Sequence, residues 1–174
     1  MERPGATTLR GNPKTLIGPE LKAGDAAPDF SVVDNALNPV TLKDTGNKVR
    51  IISVIPSLDT PVCDAQTKKF NEEVANLPGV DVLTVSMDLP FAQKRWCAAA
   101  GVSNVKTLSD FRDRAFGPAY GVELQDSPLA GLTARAVFVV GKDGKVTYAE
   151  YVSDITKEPN YDAALGAART AAST

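Results

Sequence analysis

The segment VRIISVIPS, residues 49–57, constrains this chain more than any other. It is a dense β-branched run without alternation, which suits a strand buried on both faces. Such a strand needs paired neighbours and a layer of structure above and below it, so the rest of the chain must supply both. Directly after it the period changes. From Thr60 onward Phe70, Val74 and Leu77 recur at helical spacing among polar residues, and Pro78-Gly79 predicts the helix stop. A second apolar run, VDVLTVSMD, follows at once. Strand, helix and strand in this order form a βαβ unit, predicted to be right-handed with parallel strands.

The remaining segments fit around that unit. TTLRGNPKTLIG reads as a hairpin of two short β-prone runs around Gly11-Asn12-Pro13, near the start of the chain. PDFSVVD and PVTLKD, divided by the turn-like Asn35-Ala36-Leu37-Asn38, read as short edge-like strands. A second helix is predicted from near Pro90 through FAQKRWCAAA to Gly101, and residues 109–120 read as turns with one short helix. ARAVFVVGKDGKVTYAEYV is a hairpin closing at Lys142-Asp143-Gly144-Lys145, and NYDAALGAARTAAS is an Ala-rich terminal helix. With 174 residues, 43% of them hydrophobic and 23% charged, and with no repeat or linker, the expectation is a single layered α/β domain over residues 1–174.

Composition narrows the chemistry. A formal net charge of -2 without a basic run argues against nucleic acid or an anionic membrane as partner, leaving small molecules and proteins. No apolar stretch approaches the roughly 20 residues of a spanning helix, and the polar start MERPGATTLRGNPK lacks the apolar core of a signal peptide. A soluble, cytoplasmic protein is expected. The chain has two cysteines and no histidine. Cysteine proteases and Ser-His-Asp hydrolases need an imidazole to carry the proton, and the usual zinc sites need more ligands than two thiols supply. Any cysteine chemistry must therefore be activated by Arg, Lys, hydroxyls, backbone N–H groups or a helix terminus.

Cys63 occupies such a terminus. Thr60 followed by Pro61 reads as an N-cap and a first helical residue, which places Cys63 at the third helical position. There the unpaired N–H groups and the helix dipole favour a thiolate over a thiol. The end of a parallel strand feeding a helix is also where α/β folds place their sites. Activation of this kind has a ceiling. For a cysteine in general, lowering the pKa from about 8.5 to about 6 raises the thiolate fraction at pH 7 from roughly 3% to about 90%. The loss of nucleophilicity takes back roughly tenfold, so a fast reaction also needs fixed donors beside the sulfur.

Each residue has a plain structural reading as well. Cys63 can be a small core hydrophobe, Thr60 only a cap, Pro56 only a strand end, and Arg135 an outward-facing strand arginine. Cys97 lies on the flank of a helical stripe formed by Ala92, Trp96, Ala99 and Ala100, and can be a core cysteine.

The spacing Pro56-x-x-x-Thr60-x-x-Cys63 resembles the peroxiredoxin active-site motif, and Arg135 in GLTARAVFVV is similar to the arginine that completes it. PSLDTPVCDAQTKKF, SMDLPFAQKRWC, YGVELQDSPLAGLTARAVFVV and ITKEPNYDAAL resemble the bacterial thiol peroxidase subfamily, the atypical two-cysteine class, from about Gly11 onward. Pro61 stands where some members have glycine. The resemblance implies a thioredoxin-like α/β fold, a central mixed sheet flanked by helices, with an N-terminal β-hairpin. It implies that Cys63 is the peroxidatic cysteine and Cys97 the resolving one, that Thr60 and Arg135 bind the peroxide oxygens, and that Pro56 shields the pocket. It further implies a hydroperoxide substrate, thioredoxin as reductant, a homodimer, and no metal, haem or flavin. Two cysteines on two packed helices are expected to lie too far apart to bond without movement, so the first turn around Cys63 is predicted to unwind after oxidation. A permanent Cys63–Cys97 disulfide would stabilise the fold by roughly 3 to 4 kcal/mol, but a cytoplasmic setting argues for a transient one. Two rivals stay open. A thioredoxin-type oxidoreductase normally needs Cys-x-x-Cys, where this chain has Gln66, and a redox-sensing or chaperone-like binding protein would use Cys63 as a signal.

Overall fold

All six residues of the strand Val49–Val54 are buried, and the pleat explains why the sequence shows no alternation there. Val49 and Ile51 face one apolar cluster while Ile52 and Val54 face another, so both surfaces of the strand lie in core. In the computed structural model, which describes residues Met1–Thr174, the strands are β1 (Glu2–Leu9), β2 (Asn12–Ile17), β3 (Ser31–Val33), β4 (Pro39–Thr41), β5 (Val49–Val54), β6 (Val80–Ser86), β7 (Val105–Ser109), β8 (Glu123–Leu124), β9 (Ala136–Val140) and β10 (Val146–Tyr151). The helices are α1 (Pro61–Val74), α2 (Pro90–Ala100), α3 (Phe116–Tyr120) and α4 (Tyr161–Ala172).

Seven strands form one sheet in the order β10-β9-β5-β6-β7-β3-β4. β5, β6 and β7 run parallel, and β9 pairs antiparallel with β5, so the sheet is mixed, as expected. On one face α1 and α4 contribute Phe70, Val74, Ala164, Leu165 and Ala168 to the core. On the other, α3 stacks Phe116 on Tyr120 at 4.4 Å, and Tyr120 meets Phe138 of β9 edge-on at 5.3 Å. The first hairpin, β1-β2, adds β8 to make a separate three-stranded sheet. No helix is long and apolar enough to cross a membrane.

Four sequence-based expectations need correction. α1 ends at Val74 rather than at Pro78-Gly79, because Leu77 continues the apolar spacing from a turn, its N–H bonded to the Val74 carbonyl at 3.0 Å. The first hairpin turns at Arg10-Gly11, both with positive φ (51° and 83°), which leaves Asn12 and Pro13 inside β2. β7 and β8 carry no signal in the sequence: β7 buries Thr107 and Ser109 rather than an apolar alternation, and β8 has two residues. The inner row of α2 is led by Pro90 and Gln93, not by the alanine stripe, since the Gln93 amide donates to Ser86 Oγ (3.1 Å) and to the Leu108 carbonyl (2.9 Å). Cys97 follows Gln93 on that row and is half-buried.

The hairpin tip is tied to the segment after β10. The Asp154 carboxylate accepts from the Thr8 and Thr156 hydroxyls and from the N–H groups of Gly11 (3.0 Å) and Thr156 (2.9 Å). These donors, the Thr156 hydroxyl foremost and then that of Thr8, hold the Asp154 carboxyl well below its ordinary range. A carboxyl whose pKa is depressed on folding contributes stability that is fully present above the unfolded value and is lost as pH falls through the folded one. Amide exchange at Gly11 and Thr8 is therefore expected to accelerate below about pH 4 relative to β5. In Asp154→Asn the same acceleration is expected already at neutral pH.

Candidate active site

β5 delivers the chain into a loop held from both sides. The Ile55 carbonyl accepts from the buried Thr133 hydroxyl at 2.7 Å, and Pro56 is buried beside it. Asp88, just beyond β6, accepts from the Ser57 hydroxyl (2.7 Å), the Leu58 N–H (2.8 Å) and the Ser86 hydroxyl (2.7 Å). The start of α1 is thus placed by two polar clamps and by the strand ladder.

Thr60 sits at the N-cap with extended dihedrals (φ -115°, ψ 148°) and Pro61 is the first helical residue, so Cys63 is at the third helical position, as expected. The capping role differs from expectation: the Thr60 hydroxyl does not cap α1 but donates to the Ser57 carbonyl at 2.9 Å. Thr60 is exposed, on the rim of a shallow cleft shared with Leu58, Pro61, Asp64 and Trp96.

Cys63 itself has no exposed surface and packs with Ile55, Leu58 and the indole of Trp96. Arg135, immediately before β9, lies inward and is 3% exposed, not outward-facing as its position in a strand segment alone suggests. Each nitrogen of its guanidinium donates once: Nε to the Ile155 carbonyl (2.9 Å), Nη1 to Gln66 Oε1 (3.0 Å) and Nη2 to Cys63 Sγ (3.3 Å). Gln66, fully buried one turn after Cys63, is oriented by its own donation to Ser53 Oγ at 2.7 Å. Only the place of Gln66, where a Cys-x-x-Cys would have its second thiol, drew attention in the sequence; Ser53, Asp88 and Thr133 gave no signal, because a buried polar residue is recognised by partners distant in the chain.

The electrostatics of this arrangement follow from what Arg135 lacks. Its hydrogen bonds go to two neutral oxygens and a sulfur, and the ion pairs of the chain lie elsewhere, at Lys48–Asp81, Lys68–Asp64 and Lys69–Glu73. A buried charge deprived of its partner costs about 3–5 kcal/mol. Among the groups it touches, the Cys63 sulfur is the one that can carry a counter-charge. Arg135 thus presents a buried cationic donor to Cys63 Sγ.

Cys97 is not part of this cluster. It is a free thiol, as is Cys63, and its Sγ lies 3.7 Å from Thr107 Oγ1 on β7, whose hydroxyl donates to Asn35 Oδ1 at 3.0 Å. Burial pushes the Cys97 thiol up, with the Thr107 hydroxyl opposing weakly. The structure thus brings Cys63 and Arg135 together, places Pro56 and Thr60 on the loop that enters the site, and keeps Cys97 apart.

Comparison with known proteins places the chain in a family. The redoxin family model matches residues 22–165. The thiol peroxidase of Halalkalibacterium halodurans is 61% identical over 164 residues, covering 94% of this chain and 97% of that protein. The thiol peroxidase of Bacillus subtilis is 56% identical over 162 residues, covering 93% and 95%. Among solved structures, a peroxiredoxin-like protein from Aquifex aeolicus superposes with a TM-score of 0.89 at 49% identity, covering 94% of this chain and 95% of that one. A thiol peroxidase from Chromobacterium violaceum, at 22% identity, shares the fold with a TM-score of 0.86 over 92% of this chain and 93% of its own.

Proposed function

Because the chain belongs to the redoxin family, among the bacterial thiol peroxidases, we propose that Cys63 reduces hydrogen peroxide and organic hydroperoxides and that Cys97 resolves the product. The Cys63 thiolate attacks the peroxide, forming an S–O bond as the O–O bond breaks. The departing oxygen takes up a proton and leaves as water or alcohol, and the sulfur becomes a sulfenic acid. Cys97 attacks that sulfur, the S–O bond breaks, hydroxide leaves as water, and an intramolecular disulfide remains. A dithiol reductant, thioredoxin, returns both thiols by exchange.

One observation carries this reading: a 3%-exposed guanidinium without a carboxylate partner donates to Cys63 Sγ at 3.3 Å. That donor stays in place while charge moves from sulfur to the leaving oxygen, which is where preorganised electrostatics lower a barrier. Thr60, on the rim above, is assigned to the peroxide oxygens and Pro56 to shielding the pocket. Because Cys63 is enclosed and Cys97 faces Thr107, disulfide closure goes through unwinding of the first turn of α1. No cofactor takes part, and the working form is assigned as a cytoplasmic homodimer.

The test is turnover of hydrogen peroxide and cumene hydroperoxide with thioredoxin, its reductase and NADPH. Peroxide-dependent NADPH oxidation saturating in thioredoxin is the expected result, and the ratio of the two rates ranks the substrates. No consumption above background would leave Cys63 as a sensor or a binding residue instead.

A further inference from the structure

The chain has one tryptophan, Trp96, and it directly precedes Cys97 on α2. Asp64 directly follows Cys63 in the first turn of α1. The Trp96 Nε1–H donates to Asp64 Oδ1 at 3.1 Å, while Trp96 packs against the small buried cluster of Ile55, Leu58 and Cys63. Asp64 is steadied from its other side by Lys68, whose Nζ lies 2.9 Å from Oδ2. One hydrogen bond therefore joins the two segments that carry the cysteines.

Helix geometry makes this bond an obstacle to disulfide closure. Adjacent residues on a helix diverge by about 100°, so α2 turns Trp96 toward Cys63 and Cys97 toward Thr107. A disulfide needs the two Cα atoms within about 7 Å and the sulfurs facing each other. Unwinding the first turn of α1 carries Asp64 away from Trp96, and rotating α2 carries Trp96 away from Asp64. Either route breaks the same bond and lifts Trp96 from the cluster that contains Cys63.

We infer that Trp96 and Asp64 form a latch, a pair of positioning residues that holds the thiol-bearing segments in the peroxide-reactive arrangement and whose release sets the rate of disulfide closure. The inference rests on the Cys63–Cys97 reading above. Its chemical consequence is a partition. The Cys63 sulfenic acid is either captured by Cys97 or oxidised by a second peroxide to the sulfinic acid, so a tight latch favours the second fate at high peroxide.

The test uses the full chain, reduced, given one equivalent of hydrogen peroxide, quenched with an alkylating reagent at millisecond intervals and read by mass spectrometry. Trp96→Phe keeps an aromatic ring on the Ile55, Leu58 and Cys63 cluster but removes the N–H, and Asp64→Ala removes the acceptor. Each is expected to close the disulfide roughly five- to tenfold faster than wild type, the scale of one ordinary hydrogen bond. The double variant is expected to be no faster than either single one, and Asp64→Asn, which keeps an acceptor oxygen, to stay near wild type. With excess peroxide the sulfinic fraction at Cys63 should fall in the same order. Thermal unfolding of each variant, with Asp64→Asn as the reference, separates a released latch from a damaged fold. Closure within twofold of wild type in both single variants, slower closure, or additive effects in the double variant would overturn the latch alone. Absence of a Cys63–Cys97 disulfide in wild type would instead overturn the functional reading and the latch with it.

Discussion

A Cys63→Ser chain will fold and will consume no peroxide above background. Serine is nearly isosteric, and its oxygen can accept from Arg135 Nη2 where the sulfur does now, so the fully buried site keeps its hydrogen bond. The chemistry is lost because an alcohol oxygen neither ionises near neutral pH nor forms a stable product with a peroxide oxygen. Cys97 cannot substitute, since burial pushes its thiol up and it faces Thr107 rather than a guanidinium. The expected loss is at least about 10³-fold, limited by background oxidation of the reductant. Circular dichroism and thermal unfolding check the fold, and the coupled assay checks the rate.

The second large effect concerns Arg135. In Arg135→Met the peroxide reaction of Cys63 is expected to slow by about 10²- to 10³-fold, the loss typical of one preorganised donor at a developing negative charge. Stability is pulled two ways. Removing the guanidinium leaves Gln66 Oε1 and the Ile155 carbonyl without their donor, at about 1–3 kcal/mol for each buried orphan. It also removes a charge that is 3% exposed, and a well-packed apolar replacement of a buried charge offsets much of that cost. Rate is therefore expected to fall far more than stability. Arg135→Lys restores the charge without the fork that reaches Ile155, Gln66 and Cys63 at once, and should recover only part of the rate. Stopped-flow oxidation of the reduced variants, beside denaturant unfolding, separates the two effects. An Arg135→Met chain that is stable and reacts at the wild-type rate would remove the guanidinium from the mechanism.

Much of the frame was legible in the chain because its signals are local. The dense β-branched run of β5, the Thr60-Pro61 helix start and the Lys-Asp-Gly-Lys turn between β9 and β10 each depend on neighbouring residues, and the structure has each where the spacing places it. Cys63 was legible for the same reason, since a helix start fixes what the third helical position meets. Arg135 was not, apart from the resemblance: 72 positions separate it from Cys63, and nothing in its own segment says that it lies inward. Gln66, Asp88 and Thr133 share that property, being polar residues whose partners come from other strands. The buried face of α2 is not legible in its apolar spacing, because Gln93 is inside through two hydrogen bonds rather than through hydrophobicity. The alanine stripe on that helix pointed away from the row that carries Cys97, and hence from the relation between Cys97 and Thr107.

At the centre of the proposed mechanism, Cys63 takes the oxidising equivalent and Cys97 captures it. The most direct measurement is a thiol count after a single oxidation: fully reduced protein without oxygen receives one equivalent of hydrogen peroxide, free thiols are alkylated, and the peptides are mapped without reduction. Both thiols are expected to be lost for one peroxide in wild type, with the Cys63 and Cys97 peptides joined within one chain. In Cys97→Ser one added oxygen on Cys63 and no disulfide within the chain are expected. An intact Cys63 thiol beside an oxidised Cys97, or a bond formed only between chains, would contradict the mechanism.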